Sequence, residues 1–353
     1  MKVTEKADIK SMDKAELSEF VVSLGMPKFR ASQIFSWLGK GVKTFDEMTN
    51  LSKKDREQLL QKSYISDAVI EKKQVSEYDG TVKYLFRLHD GEYVESVLMR
   101  YNYGLSICIS TQVGCRMGCA FCATGLGGLS RNLAPSEMLA QIMSAQRDAG
   151  ERISHVVLMG MGEPLDNFDN VLKFLKLVSD PDGLCIGMRH ISVSTCGLVE
   201  RINQLADMNL QFTLSISLHA PNDTIRSKIM PVNKKWNVET LLAACRNYTD
   251  KTHRRISFEY SLIHGVNDTD ECAQELAGRL KGTICHVNLI PVNNVEENGF
   301  VRSDTKQILK FKSILEAKGI QTTVRRTLGS DIDASCGQLR RKKQKELGAG
   351  QEE

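Results

Sequence analysis

The stretch Leu105-Ser-Ile-Cys-Ile-Ser110, followed shortly by Cys115-Arg-Met-Gly-Cys119-Ala-Phe-Cys122, decides how this chain is read. The first part is a short apolar strand. The second sets three thiols at CxxxCxxC spacing inside a Gly-rich loop, Gln112 to Gly128, where backbone N–H groups can wrap a cluster. Three such thiolates can hold an iron–sulfur cube by three corners and leave the fourth iron open to a substrate. A closed cluster or a tetrahedral zinc site needs one more soft donor. The other cysteines, Cys108, Cys185, Cys196, Cys245, Cys272, Cys285 and Cys336, repeat no tight ligand pair. Spacing alone leaves an open [4Fe-4S] site, a structural zinc or closed cluster, and ordinary buried thiols all standing.

Outward from that loop the pattern alternates. Strands are expected near 105–110, 154–160, 189–194, 211–217, 255–263 and 284–290, with helices near 135–149, 167–178, 199–208, 238–250, 268–280 and 304–318. A further strand at 320–325 extends the edge. Such alternation demands a parallel sheet with right-handed crossovers, Rossmann-like or part of a barrel. No GxGxxG fingerprint follows the first strand; the cysteine loop stands there instead. Ahead of it, residues 65–104 change to period two, with runs Val82 to Leu88 and Tyr93 to Met99 between Asp-Gly turn signals, a hairpin-like extension. Residues 1–64 read as three small helices, with Asp13 and Glu16 as a capping pair, Pro27 opening the second helix and Ser52 capping the third. The expected organisation is 1–64 helical accessory domain, 65–104 extension, 105–330 catalytic α/β domain and 331–353 loop and basic tail.

The chain has 353 residues, 41% hydrophobic, enough for a large core with a small second domain. The N-terminus lacks a signal-peptide run and nothing is long and apolar enough to span a membrane, so a cytoplasmic protein is expected. Ten cysteines without a secretion signal fit a reducing compartment, where thiolates bind metal or react. A net charge of +4 is modest, but positives cluster at Lys53/Lys54/Arg56, Lys72/Lys73, Arg254/Arg255, Arg325/Arg326 and from Arg340 to Lys345, which favours a phosphate-rich partner. No heptad argues for a dimer, and monomer is the default.

Strand ends carry the remaining polar signals. Gly160-Met161-Gly162-Glu163-Pro164 follows an apolar strand: small residues let a ligand approach the backbone, and Glu163 offers an acceptor for an ammonium group. Ser192, Ser194 and Thr195, then Ser215 to His219, then Asn288 and Asn293 collect on the same rim, as at a binding mouth. Alternation places Cys108 on one face with Ser106 and Ser110. Cys336 lies in a small-residue loop, a poor place for an inert core thiol. Glu95, in the strand-like YVESVL, is read from pattern alone as facing solvent.

The stretches QVGCRMGCAFCATG, VVLMGMGEPLDN, ISVSTCG, SLHAPND, HVNLIPVN and RRTLGSDIDASCGQLRR occur in order from Gln112 to Arg341. On them the chain is identified as resembling the radical S-adenosylmethionine RNA methyltransferases, and within them the adenine-C2 branch acting on 23S rRNA and tRNA. Pro291 and Val292 match that branch better than its C8-methylating relative. The resemblance implies an open six-stranded (β/α) partial barrel, a [4Fe-4S] cluster on Cys115, Cys119 and Cys122, and two S-adenosylmethionine molecules per turnover. It implies that Gly162, Glu163, Ser194, Ser217, Leu218, His219 and Asn293 line the cofactor site. Cys336 becomes the methyl-carrying nucleophile, Cys108 the thiol that resolves its adduct by forming a disulfide, and Glu95 the base that removes the C2 proton, its proton affinity raised by partial desolvation. The implied substrates are adenosine 2503 of 23S rRNA, before or during large-subunit assembly, and adenosine 37 of certain tRNAs. The chemistry calls for a low-potential electron donor such as flavodoxin or ferredoxin. The rivals are a C8 methyltransferase and a noncatalytic iron–sulfur or zinc RNA-binding protein.

Overall fold

The structure, a computed structural model, describes residues 6–292, 299–332, 338–341 and 343. Three helices open it: α1 (Lys14–Ser23), α2 (Arg30–Gly39) and α3 (Lys53–Lys62). The Asp13 carboxylate accepts from the N–H groups of Ala15 and Glu16 while Glu16 accepts the Asp13 N–H at 2.8 Å, closing the expected capping box. Ser52 Oγ caps α3 through Asp55 N–H. Helix α2 begins later than Pro27, whose carbonyl instead accepts Arg30 N–H in the preceding turn.

Next come β1 (Val69–Val75), β2 (Val82–Arg87) and β3 (Tyr93–Tyr101), antiparallel neighbours, and β3 pairs antiparallel with β4 (Gly104–Cys108). The extension, expected as a hairpin or small sheet, is three strands fused to the edge of the main sheet. From β4 onward every pairing is parallel, through β5 (Ile153–Leu158), β6 (Ile191–Thr195), β7 (Thr213–Ser217), β8 (Ile256–Leu262), β9 (Cys285–Pro291) and the short β10 (Thr322–Val324). Spatial order equals chain order, giving one ten-stranded sheet. A one-way progression of this kind is what repeated βα units with a single crossover hand produce.

The crossovers carry α4 (Pro135–Ala149), α5 (Phe168–Ser179), α6 (Val199–Met208), α7 (Asp223–Ile229), α8 (Val238–Thr252), α9 (Asp270–Leu280) and α10 (Thr305–Ala317). Their apolar stripes meet one face of the sheet, where Val193, Leu214, Ile216, Phe258, Tyr260, Val287 and Leu289 join the main core. Alternate residues face the other way and are mostly polar. Register aligns Ser194 with Ser215, Ser215 with Ser257 and Ser257 with His286; a second row runs Ser217, Glu259, Asn288, Thr323.

That polar face is concave. One cavity of about 230 Å³ touches residues at the ends of β5, β6, β7, β8 and β9 and beyond β10. Six adjacent strands laid flat would cover roughly 24 Å at their usual spacing, so only a sheet curved around the cavity brings them to one small space. The sheet is an open (β/α) partial barrel with its ligand space at the C-terminal strand ends, as the family resemblance implied where periodicity left the choice open. Among the described residues no helix is long and apolar enough to cross a membrane.

Candidate active site

The cysteine loop leaves a short antiparallel ribbon, Gln112–Gly114 with Leu129–Asn132, which pins both ends. Inside it Cys115 N–H donates to the Gly128 carbonyl, Cys122 N–H to Cys119, and Ala120 N–H to Ile229 at the end of α7. All three thiols then line the cavity. Burial pushes the Cys115 and Cys119 thiols up to about 12, so thiolates persist in this dry wall only with positive charge supplied to them. Among the described residues no three His, Cys, Asp or Glu side chains gather closely enough to hold a single metal ion. Three thiols of one loop lining one cavity are the donor set that an iron–sulfur cluster takes. Thr124 Oγ1, buried on the same wall, has no hydrogen-bond partner among the described residues.

Across the cavity stands Glu163, only 4% exposed. Its Oε1 accepts Leu165 N–H at 3.0 Å and its Oε2 accepts Cys196 N–H at 2.7 Å. Burial pushes its carboxyl up from the ordinary value, against those hydrogen bonds, so a cationic ligand group is what would restore its charge. The approach is opened by Gly162, at φ +102°: a Cβ there would lie 2.5 Å from Gln112 Cβ, and Gln112 Oε1 in turn accepts Glu163 N–H at 2.8 Å. At Gly160 a Cβ would meet the Ile109 carbonyl at 2.5 Å.

Ser194 and Ser217 reach the cavity with their Oγ atoms 3.5 Å apart. His219 adopts φ +56° and its Nδ1 accepts Ser261 N–H at 2.9 Å, which leaves Nε2 as the protonated nitrogen of a neutral ring. Burial lowers its pKa to about 3, and its ring meets Phe121 edge-on at 4.8 Å. Leu218 differs from its neighbours: its side chain belongs to the apolar core, and its carbonyl accepts from Arg226 Nε at 3.0 Å. Asn293 and Cys336 lie outside the described residues.

Several participants gave no sequence signal strong enough to be named. Arg226 is fully buried and donates to the carbonyls of Cys196, Ser217 and Leu218, tying two strand ends to α7. Glu259 lines the cavity, held by Asn288 Nδ2 at 2.7 Å, with its carboxyl pushed up by burial. Its place between Ser257 and Ser261 on the polar side of an alternating strand was the available clue. Cys196 contributes its backbone, to Glu163 and Arg226, while its buried thiol is held well above its ordinary pKa.

Beside the cavity, β3 and β4 turn a second group inward. Cys108 opposes Val97 in register and packs with Val97 and Met99, with Met159 joining this patch to the cavity wall. No disulfide joins it to another described cysteine. Glu95 shares that face, and the solvent-facing reading is wrong: it is 2% exposed, 2.6 Å from the fully buried Lys83 ammonium. The inner face is covered because the chain returns over it, Leu328 packing near Cys108 and Arg340 N–H donating to Glu95 Oε1 at 2.7 Å. The same return removes Arg340 from the expected phosphate-binding tail, since its guanidinium faces Glu92. Arg254 likewise holds the Phe212 carbonyl.

A polar-lined open barrel with three thiols and a buried carboxylate at its strand ends is the build of a radical S-adenosylmethionine enzyme. Residues 109–276 match the Radical SAM superfamily, and residues 7–65 match the Ribosomal RNA large subunit methyltransferase N-terminal domain. A probable dual-specificity RNA methyltransferase RlmN of Alkaliphilus oremlandii is 56% identical over 96% of this chain and 98% of its own length. That of Clostridium novyi is 54% identical over 92% and 95%. The crystal structure of a radical SAM methyltransferase from Sphaerobacter thermophilus superposes with a TM-score of 0.90 at 43% identity, covering 94% of this chain and 98% of that one. The chain belongs to the RlmN family of radical SAM RNA methyltransferases. It is an enzyme that works with one [4Fe-4S] cluster and S-adenosylmethionine.

Proposed function

We propose that the chain methylates C2 of adenine in RNA, at adenosine 2503 of 23S rRNA and adenosine 37 of tRNA, by way of a methyl group carried on Cys336. The observation that carries this reading is the adjacency of two sites: Met159 belongs both to the cavity of the three cysteines and Glu163 and to the patch containing Cys108, on the face that Glu95 shares. When bound, the cluster and S-adenosylmethionine supply radical chemistry, which an electron-poor carbon between two ring nitrogens requires.

Cys115, Cys119 and Cys122 hold the cluster. Glu163 takes the methionyl ammonium, and Gly162, Ser194, Ser217, His219, the Leu218 backbone and Asn293 shape the remainder of the cofactor site. Cys336 accepts a methyl group from one S-adenosylmethionine and presents its carbon to the adenine. Glu95, kept inside by Lys83, removes the C2 proton after the carbon–carbon bond has formed. Cys108 as thiolate attacks the Cys336 sulfur; the bond from that sulfur to the methylene carbon breaks, its electron pair stays with the carbon, which takes up a proton, and a transient disulfide is left as the methylated base departs. Exposed Lys53, Lys54, Lys72, Arg255 and Arg326 are the cations available for RNA phosphates. The setting is a cytoplasmic monomer served by a protein electron donor.

Trapping tests the assignment. Cys108→Ala, reconstituted and given RNA, should accumulate a covalent protein–RNA adduct through Cys336, seen as a slow band and confirmed by peptide mass spectrometry. Methylated Cys336 without any adduct would remove Cys108 from the resolving role. Cys336→Ala should keep the cluster yet carry no protein-bound methyl group.

A further inference from the structure

A second cavity, of about 710 Å³, opens on the other side of the cysteine loop, lined by Arg116, Met117, Arg201, Lys235 and Trp236 among others. Met117 also lines the cofactor cavity. Met117 is the residue the two linings share, so the outer cleft adjoins the space walled by the three thiols. Nothing in the proposed methyl transfer uses the cleft.

Its lining carries more positive than negative charge, Arg116, Arg201 and Lys235 against Asp166 and an exposed Glu200. Asp166 lies beneath Arg116 with its side chain 8% exposed, whereas the Arg116 side chain is 63% exposed. Glu200 faces Lys235 at a loose 3.9 Å and accepts Trp236 Nε1–H at 3.1 Å. Lys234, next in the chain, is exposed and has no ion-pair partner among the described residues. The Lys235 ammonium sits 4.1 Å from the centre of the Trp236 ring. A solvent-facing cationic rim with an indole plane suits an anionic protein surface, where complementary charge steers encounter and an aromatic anchors it.

We propose that this cleft docks an acidic protein carrying a low-potential one-electron centre, which reduces the cluster across Met117. The carrier loses one electron, the cluster gains one, and no atoms move. RNA, also anionic, fits less well, because its adenine must reach the face of Cys108 and Glu95, and no residue of that face lines the cleft. The inference rests on the radical S-adenosylmethionine reading.

The test compares holoenzyme with its Lys234→Glu/Lys235→Glu variant, both driven either by reduced flavodoxin or by dithionite, with 5′-deoxyadenosine measured in the presence of an RNA fragment. Flavodoxin binding is measured separately by biolayer interferometry on the immobilised proteins, at low and high salt. The expected result is at least a tenfold or so loss of flavodoxin affinity and of flavodoxin-driven cleavage, with dithionite-driven cleavage within about twofold of the parent. Unchanged flavodoxin binding and cleavage would overturn the proposal, as would a variant that instead loses RNA affinity and slows equally with both reductants. Failure of the parent to cleave S-adenosylmethionine even with dithionite would strike the underlying radical reading, not the docking face.

Discussion

Glu163 and Glu95 are both buried, and their neighbours give them different tasks. Glu163 has hydrogen bonds but no ion-pair partner among the described residues, and burial raises its proton affinity above the ordinary value of 4.5. In the unliganded protein the folded state then holds that proton longer than the unfolded chain. Its contribution to stability is lost as pH rises from 4.5 through the raised value. Cofactor binding runs the opposite way: the ammonium needs the carboxylate, so affinity should fall as pH drops through the raised value. Glu163→Gln should weaken S-adenosylmethionine by at least about tenfold at neutral pH and abolish that dependence, measured by equilibrium dialysis across a pH series. His219, with a pKa of about 3, should add no step near neutrality. Glu95 has the Lys83 ammonium at 2.6 Å. Lys83→Met should therefore lower stability by about 3–5 kcal/mol in chemical denaturation and cut methylated RNA, while the methyl group on Cys336 is still acquired. A variant as stable and as active as the parent would show that the pair does not hold the base.

Between strands, two devices shape the mouth. Arg226 ties Cys196, Ser217 and Leu218 together through their carbonyls. Arg226→Met keeps bulk but strands buried acceptors, each costing about 1–3 kcal/mol. A marked drop in melting temperature and weaker cofactor binding should follow, and Arg226→Lys should recover only part, since one ammonium cannot reproduce a planar fork. At the β5 end, Gly162→Ala adds a Cβ where Gln112 already stands and enforces an L side chain at φ +102°. It should disturb Gln112 and the Glu163 N–H it holds, so cofactor affinity falls more than fold stability does. Loss of stability with intact affinity would argue that the glycine serves only the turn.

Across the whole molecule, the βα alternation was legible because each parallel strand is apolar on its helix-covered side and short, and each helix carries one apolar stripe. The cysteine loop was legible because spacing is local. Residues whose surroundings come from distant sequence were not. Glu95 lies in an alternating strand that would face solvent in an isolated hairpin, and only β2, β4 and the returning chain around Leu328 and Arg340 close over it. Arg226 reads as an ordinary helical arginine until α7 is folded under the strand ends, and that short helix itself escaped notice in a run of polar residues. Basic clusters were visible as charge but not as partners, so Arg340 and Arg254 looked available when they are engaged internally.

The most direct measurement of the central claim is the product itself. Anaerobically reconstituted enzyme, reductant and S-adenosylmethionine would be incubated separately with unmodified 23S rRNA fragment and tRNA, and the nucleosides identified by mass spectrometry against C2- and C8-methyladenosine standards. The expected product is C2-methyladenosine in both RNAs, at one position in each. C8-methyladenosine alone, or no methylated adenosine despite an intact cluster and cleavage of S-adenosylmethionine, would contradict it.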